Sequence, residues 1–146
     1  MKKVFKIFLP IILGSIVGLV INNFIDYGEL VKPSLAPPNI LFPIAWSIIY
    51  LLIGIAYYFY RKDYSDESVI KLYYLQLFFN LLWSVIFFIF KLRLLSVVWI
   101  LVLDILVIIL TIKYNNTKKV SAYLMIPYII WLLFATYLNI GIYILN

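Results

Sequence analysis

Residues 32–50 read KPSLAPPNILFPIAWSIIY, with four prolines crowded ahead of and into the start of an apolar run that stays uncharged to Tyr60. Proline fixes φ, lacks an N–H and pushes the residue before it out of the helical region. The stretch therefore reads as a stiff, irregular segment that gives way to a helix beyond Pro38. From Ile40 to Tyr60 that helix has no charged face. Its surroundings must therefore be apolar on every side, either a protein core or lipid.

Four further windows settle the choice. Ile7–Ile25, Leu72–Phe90, Leu94–Ile112 and Val120–Leu145 are, like Ile40–Tyr60, free of charge apart from Asp104. Each is long enough to cross a hydrocarbon core of about 30 Å as a helix. Across 146 residues the chain is 66% hydrophobic, 19% aromatic and only 12% charged, with a mean hydropathy of +1.10. Soluble domains carry about 25% charged residues, and a soluble helical protein would need polar helix faces that these windows lack. Lipid offers the backbone no partner but itself, so helices are expected. The alternation of a membrane barrel is absent. The expected fold is an all-α membrane protein, a bundle of five transmembrane helices at about 7–25, 40–60, 72–90, 94–112 and 120–145. Short connections make residues 1–146 a single domain. Lys2, Lys3 and Lys6 resemble the basic start of a signal peptide, but the apolar run is too long and Asn22–Asn23 offers no small-residue cleavage site. A retained first helix is expected.

The charges that remain are a topology signal. Lys2, Lys3, Lys6, Arg61, Lys62, Lys71, Lys113, Lys118 and Lys119 fall on one side of the five spans, and Lys32, Lys91 and Arg93 on the other. Nine against three places the N-terminus in the cytoplasm and the C-terminus outside, with the proline-rich loop facing outward. The net charge of +6 is accounted for in this way, and no nucleic-acid partner is expected. The chain has no cysteine and no histidine, which excludes disulfides, thiolate and imidazole catalysis, the usual zinc sets and a haem on a proximal His or Cys. No metal and no cofactor is expected.

Polar and aromatic residues recur at helical spacing on three spans: Trp46, Tyr50 and Gly54; Gln76, Asn80 and Trp83; and Tyr128, Trp131, Ala135 and Asn139. Each set shares one face of its helix. Amides are costly against lipid, so the Gln76–Asn80 face and the Asn139 face are expected to turn inward. Singly these residues read as interhelical glue or interfacial belt. Together, with small residues beside them, they read as the lining of a cavity suited to flat, largely apolar ligands. Gly14 and Gly18 have the spacing of close helix packing, read as internal rather than as a dimer seam. Asp104 is the one acid within a span; with no other ionisable carrier in any span, it reads as an interhelical hydrogen-bonding group rather than a proton relay.

These residues also carry a resemblance. Lys32-Pro33, Pro37-Pro38, Trp46 with Tyr50, and Gly54 with Ala56 resemble the signature of the TspO/MBR family, the tryptophan-rich sensory or translocator proteins, also called peripheral-type benzodiazepine receptors. QLFFNLLWSVIFF, through Gln76, Asn80, Trp83, Phe87 and Phe88, and PYIIWLLFATYLN, from Pro127 to Asn139, resemble the family's third and fifth helices, so the likeness covers nearly the whole chain in order and spacing. The resemblance implies an integral membrane receptor or sensor, in a bacterial cell membrane, that binds protoporphyrin IX-like tetrapyrroles and similar flat apolar ligands between its helices. Its alternatives are a light-dependent porphyrin-degrading enzyme, in which Trp46 and Trp131 would act, and a transporter of tetrapyrroles or lipids, which is weakened by the lack of an inverted repeat. It implies a ligand-binding set of Pro37, Trp46, Tyr50, Asn80, Trp83, Trp131 and Ala135, and a homodimer. KPSLAPPN would then cap the outward mouth of the cavity, with Lys32 facing an acidic ligand edge. Two departures stand out. Asp26 and Leu35 occupy positions where tryptophans are expected, which is read as loosening the lid. No basic residue follows Tyr137 or Tyr143, which speaks against the sterol-recognition pattern.

Overall fold

The computed structural model describes residues 2–146, with side chains from Val4 onward. Five helices follow one another: α1 (Lys2–Ile21), α2 (Leu41–Asp63), α3 (Glu67–Ser84), α4 (Arg93–Asn115) and α5 (Lys119–Leu145), with no strand among the described residues. All five are long and apolar enough to cross a membrane. The bundle is the expected all-α membrane fold.

The helices outrun the uncharged windows at several ends. α2 continues through Arg61 and Lys62 to Asp63, and α3 starts at Glu67 rather than near Leu72. The physical reason is that a window without charge marks the hydrocarbon core, whereas helical hydrogen bonding continues through the headgroup zone, where Lys, Arg and Glu are solvated. Helix-end chemistry fits this extension. Asp66 caps α3 by accepting from the Ser68 N–H at 2.9 Å, and Glu67 lies in the first turn. Arg61, Lys62 and Lys113 lie in the last turns of α2 and α4, where cations oppose the helix dipole. The hydrogen bond at Ser68 holds the Asp66 carboxyl below its ordinary range. α1 ends earlier, at Ile21, and passes through two single 3₁₀ turns, Asn22–Phe24 and Tyr27–Glu29.

Proline is placed where this fold tolerates it. Pro43 sits in the first turn of α2, where an N–H would have no intrahelical partner. Pro10 and Pro127 lie inside α1 and α5, sites that a membrane helix accepts when neighbouring helices satisfy the freed carbonyl.

α5 packs most extensively on α4 and also on α2, while α1 lies against α2 at the edge of the bundle and buries least. The α1–α2 approach depends on Gly54, where an added Cβ would stand 1.9 Å from the Ile7 carbonyl oxygen. Toward the charged end the core is built from tyrosines. Tyr57 and Tyr73 stack at 3.7 Å with their planes 5° apart, and Tyr60 and Tyr114 are fully buried beside them. The Ser121 hydroxyl donates to the Ala56 carbonyl at 2.6 Å and ties α5 to α2. Apolar side chains such as Ile105, Ile130 and Ile144 remain exposed on the outer faces, as expected where lipid is the solvent.

Candidate ligand cavity

Each stripe read from the sequence sets its polar atoms against those of another helix. The Tyr50 hydroxyl donates to Asn80 Oδ1 at 2.7 Å, Asn80 Nδ2 donates to the Tyr128 hydroxyl at 2.7 Å, and Tyr128 donates to Gln76 Oε1 at 2.9 Å. Gln76 Nε2 closes the chain on the Tyr73 carbonyl at 2.9 Å. α2, α3 and α5 are thus joined by one directional network that runs from the Tyr50 hydroxyl to the Tyr73 carbonyl, with Asn80, Tyr128 and Gln76 each both giving and receiving. A second network starts at Trp83, whose indole N–H donates to Asn139 Oδ1 at 2.8 Å. Asn139 Nδ2 then donates to the Ser96 hydroxyl at 3.0 Å. Gln76, Asn80 and Asn139 are all buried, at 0, 2 and 1% exposure, so both amide faces do turn inward.

Above the first network lies a cavity of about 920 Å³, walled by α1, α2, α3 and α5. Trp46, Tyr50, Asn80, Trp83 and Ala135 line it. The Tyr50 hydroxyl and the Trp83 indole N–H are already bonded, so these residues offer the cavity their ring faces, set among aliphatic side chains. Trp46 and Tyr50 stack at 5.5 Å, and Trp83 and Phe87 at 5.2 Å, each pair 29° from parallel. Gly14 is pressed against the Tyr50 ring, whereas a Cβ on Gly18 would meet nothing within 4 Å. Both glycines border the cavity.

Two residues of the expected set stand off the wall. Trp131 lies edge-on to Trp46, with centroids 6.1 Å apart and planes at 87°, and also contacts Phe42 and Phe134. Its indole N–H is buried with no partner among the described residues. Pro37 contributes its carbonyl, which accepts from the Tyr27 hydroxyl at 2.8 Å, and it is Tyr27 that reaches the cavity. Burial pushes the Tyr27 phenol above its ordinary value, so it remains a neutral donor. Tyr27, Phe42, Phe87 and Phe88 were not in the expected set but line the cavity. Phe87 and Phe88 sit on a π turn, Val85–Ile89, that continues α3. Such a turn adds a residue to the helical repeat and swings the following side chains. Periodicity gives no sign of it.

The lid differs from its expected looseness. Arg93 Nη2 makes two hydrogen bonds to the Asp26 carboxylate, at 2.8 and 3.0 Å, with both side chains largely buried. Arg93 also donates through Nε to the Phe87 carbonyl and lies 4.4 Å from the Phe87 ring. Asp26 therefore anchors the α1–α2 loop to the cavity wall. The Asn146 side chain bonds to both Val31 N–H and Val31 C=O, the Tyr137 hydroxyl donates to the Ser34 carbonyl at 2.6 Å, and Pro33 packs over Gly141. The Lys32 ammonium turns back onto the Tyr27 and Leu30 carbonyls, at 3.0 and 3.3 Å, and over the Tyr27 ring. Leu35, at φ 72°, is 82% exposed at the outer tip. Asp104 lies apart from the cavity, between α4 and α5, where the Thr136 hydroxyl donates to its Oδ2 at 2.7 Å. Among the described residues no cluster of potential metal ligands occurs.

Fold and site together define a class: an integral membrane protein of five helices with an aromatic cavity under a pinned loop between α1 and α2. The sequence model of the TspO/MBR family matches residues 6–145. The chain is 42% identical to the tryptophan-rich protein TspO of Archaeoglobus fulgidus over 122 residues, 82% of this chain and 79% of that protein. It is 35% identical to the TspO of Chlorobaculum tepidum, over 82% of this chain and 78% of that one. With the human translocator protein it shares 31% identity over 77% of this chain and 70% of the relative. The chain belongs to the TspO/MBR family.

Proposed function

We propose that this protein is a membrane receptor or sensor that binds a porphyrin of the protoporphyrin IX type, or a similar flat apolar ligand, in the cavity between α1, α2, α3 and α5. The observation that carries the reading is the cavity itself. At about 920 Å³ it falls in the range of small-molecule sites, which are typically about 300–1,000 Å³ and largely apolar. Its paired ring faces favour stacking and desolvation as the sources of affinity. The bias of basic residues supports an orientation with the lid outward and the N-terminus in the cytoplasm of a bacterial cell. A homodimer belongs to the same reading.

A second reading, light-dependent breakdown of the bound porphyrin by oxygen, is favoured by the Trp46–Trp131 contact at 6.1 Å. It places an oxidisable indole on the wall and another directly behind it. Titration of detergent-purified protein with protoporphyrin IX, in the dark and then under light, tests both readings. Saturable quenching of intrinsic tryptophan fluorescence, weakened by Trp46→Phe, is the expected result. A new absorbing species formed only under light would add the enzymatic reading. Absence of saturable quenching would remove tetrapyrroles as the ligand.

A further inference from the structure

α1 and α2 meet toward one end of the bundle and part toward the other. On α2, Gly54, Ser47, Pro43 and Ile40 follow at helical spacing, which sets them along one face. At Gly54 that face touches the α1 backbone at Ile7. Nearer the lid, at Pro43, about 16 Å away at 1.5 Å per residue, the same face is uncovered: Ser47, Pro43 and Ile40 are all exposed. Across from them stand Ser15 and Gly18 on α1 and Asn22 just past its end, exposed as well. All six residues also border the cavity. Residues that line an internal space and are open to the outside at the same time mark an opening. Here it is a slit between α1 and α2, kept clear by small edges such as Gly18, where even an added Cβ would meet nothing within 4 Å.

The slit faces lipid. Ser15, Gly18, Pro43 and Ser47 lie inside the lengths of α1 and α2 that cross the membrane, so the opening looks into the hydrocarbon layer. Its two hydroxyls suit that solvent. Ser15 Oγ donates to the Ile11 carbonyl and Ser47 Oγ to the Pro43 carbonyl, each at 2.7 Å. Both protons are thus spent on their own helix, and the edges hold no free hydroxyl donor against an apolar molecule. The lid is the opposite case. Its ties run to Arg93 at the start of α4 and to Tyr137, Gly141 and Asn146 toward the end of the chain. The roof of the cavity is fastened, and its side is open.

We infer that the slit is a lateral portal: a flat, apolar ligand dissolved in the bilayer enters the cavity between α1 and α2, while the α1–α2 loop stays in place above it. The inference rests on the cavity being the ligand site and adds the route and the phase from which the ligand comes. Transfer of apolar surface out of water is favourable, so such a ligand collects in the bilayer, on the side where the slit opens.

Quenching of tryptophan fluorescence by brominated phosphatidylcholine, in vesicles holding the full chain, reads access from the bilayer without any porphyrin. Trp46 lies on the cavity wall. Its share of the quenching, taken in each background as the loss caused by Trp46→Phe, reports lipid chains that reach through the slit. The sequence has no cysteine, so thiol pairs can be introduced selectively. Ser15→Cys with Ser47→Cys, bridged by a bifunctional methanethiosulfonate, should abolish the Trp46 share, and a reducing agent should restore it. Ser34→Cys with Tyr137→Cys, bridged in the same way across the lid, should leave it intact. A Trp46 share missing from the unbridged protein would overturn the portal, as would one that persists behind a bridged slit or disappears on bridging the lid. Protoporphyrin IX loaded into the same vesicles keeps the two readings apart. Porphyrin association slowed by the slit bridge and not by the lid bridge would support both. Bromolipid quenching through the slit with no porphyrin binding would support the portal and strike the porphyrin reading alone.

Discussion

Gly54 stands where α2 meets the α1 backbone at Ile7. An alanine Cβ there would sit 1.9 Å from the Ile7 carbonyl oxygen, and a backbone atom inside a packed pair of helices cannot step aside as the end of a side chain can. Overpacking in a core typically costs about 1–3 kcal/mol, and Gly54→Ala is expected at the top of that range, read as a clear fall in the thermal midpoint in detergent. Tyr50 tests a different quantity. Its ring lines the cavity, but its hydroxyl is spent on Asn80 at 2.7 Å. Tyr50→Phe keeps the ring and leaves Asn80 Oδ1 short of a donor. The expected cost is about 1 kcal/mol, typical of an interhelical hydrogen bond in a membrane protein, with porphyrin quenching nearly unchanged. A large loss of binding with intact stability would mean that the hydroxyl, not the ring, meets the ligand.

At the scale of elements, the helices were legible because lipid leaves the chain so few options: windows without charge had to be helices, and the amide-bearing faces of α3 and α5 had to turn inward. The stripes of α2, α3 and α5 were legible as inward faces because helical spacing fixes which residues share a face, whereas the narrower set of Trp46, Tyr50, Asn80, Trp83 and Ala135 was what the family resemblance implied. What escaped was irregular. The π turn that brings Phe87 and Phe88 to the cavity leaves no trace in periodicity, and Tyr27 arrives through a loop whose path follows from tertiary bonds. Asp26 was misread because a carboxylate in place of a tryptophan looks like a loss until its partner, 67 residues away on α4, is known. That pair makes a prediction. Removing one member of a largely buried ion pair strands the other, so Asp26→Ala should release the loop. Faster amide exchange in residues 22–40, with α2–α5 unaffected, is the expected signature by hydrogen-exchange mass spectrometry. Salt should reproduce little of it, since a shielded pair is weakly screened. Unchanged exchange in the loop would transfer the anchoring role to Tyr27, Tyr137 and Asn146.

For the whole molecule, the decisive contrast is between two glycines of the same bundle. Gly54 is filled by a neighbour, whereas Gly18 borders the cavity with nothing within 4 Å of an added Cβ. A large side chain at position 18 therefore has room, and the room it takes is the ligand's. α1 is the least buried helix and packs mainly on α2, so its cavity-facing side can be rebuilt without disturbing the tyrosine core or the two amide networks. Gly18→Phe should thus retain a thermal midpoint close to wild type. Glycine in a helix interior costs roughly 0.5–1 kcal/mol relative to alanine, and its removal offsets part of any crowding. Porphyrin affinity should fall by about tenfold or more, because a blocked apolar pocket forfeits both stacking and desolvation. Retained affinity in a folded Gly18→Phe protein would place the ligand on the outer surface of the bundle. In that case Trp46→Phe should leave binding intact as well, and the two variants together would separate a ligand held between the helices from one held against them.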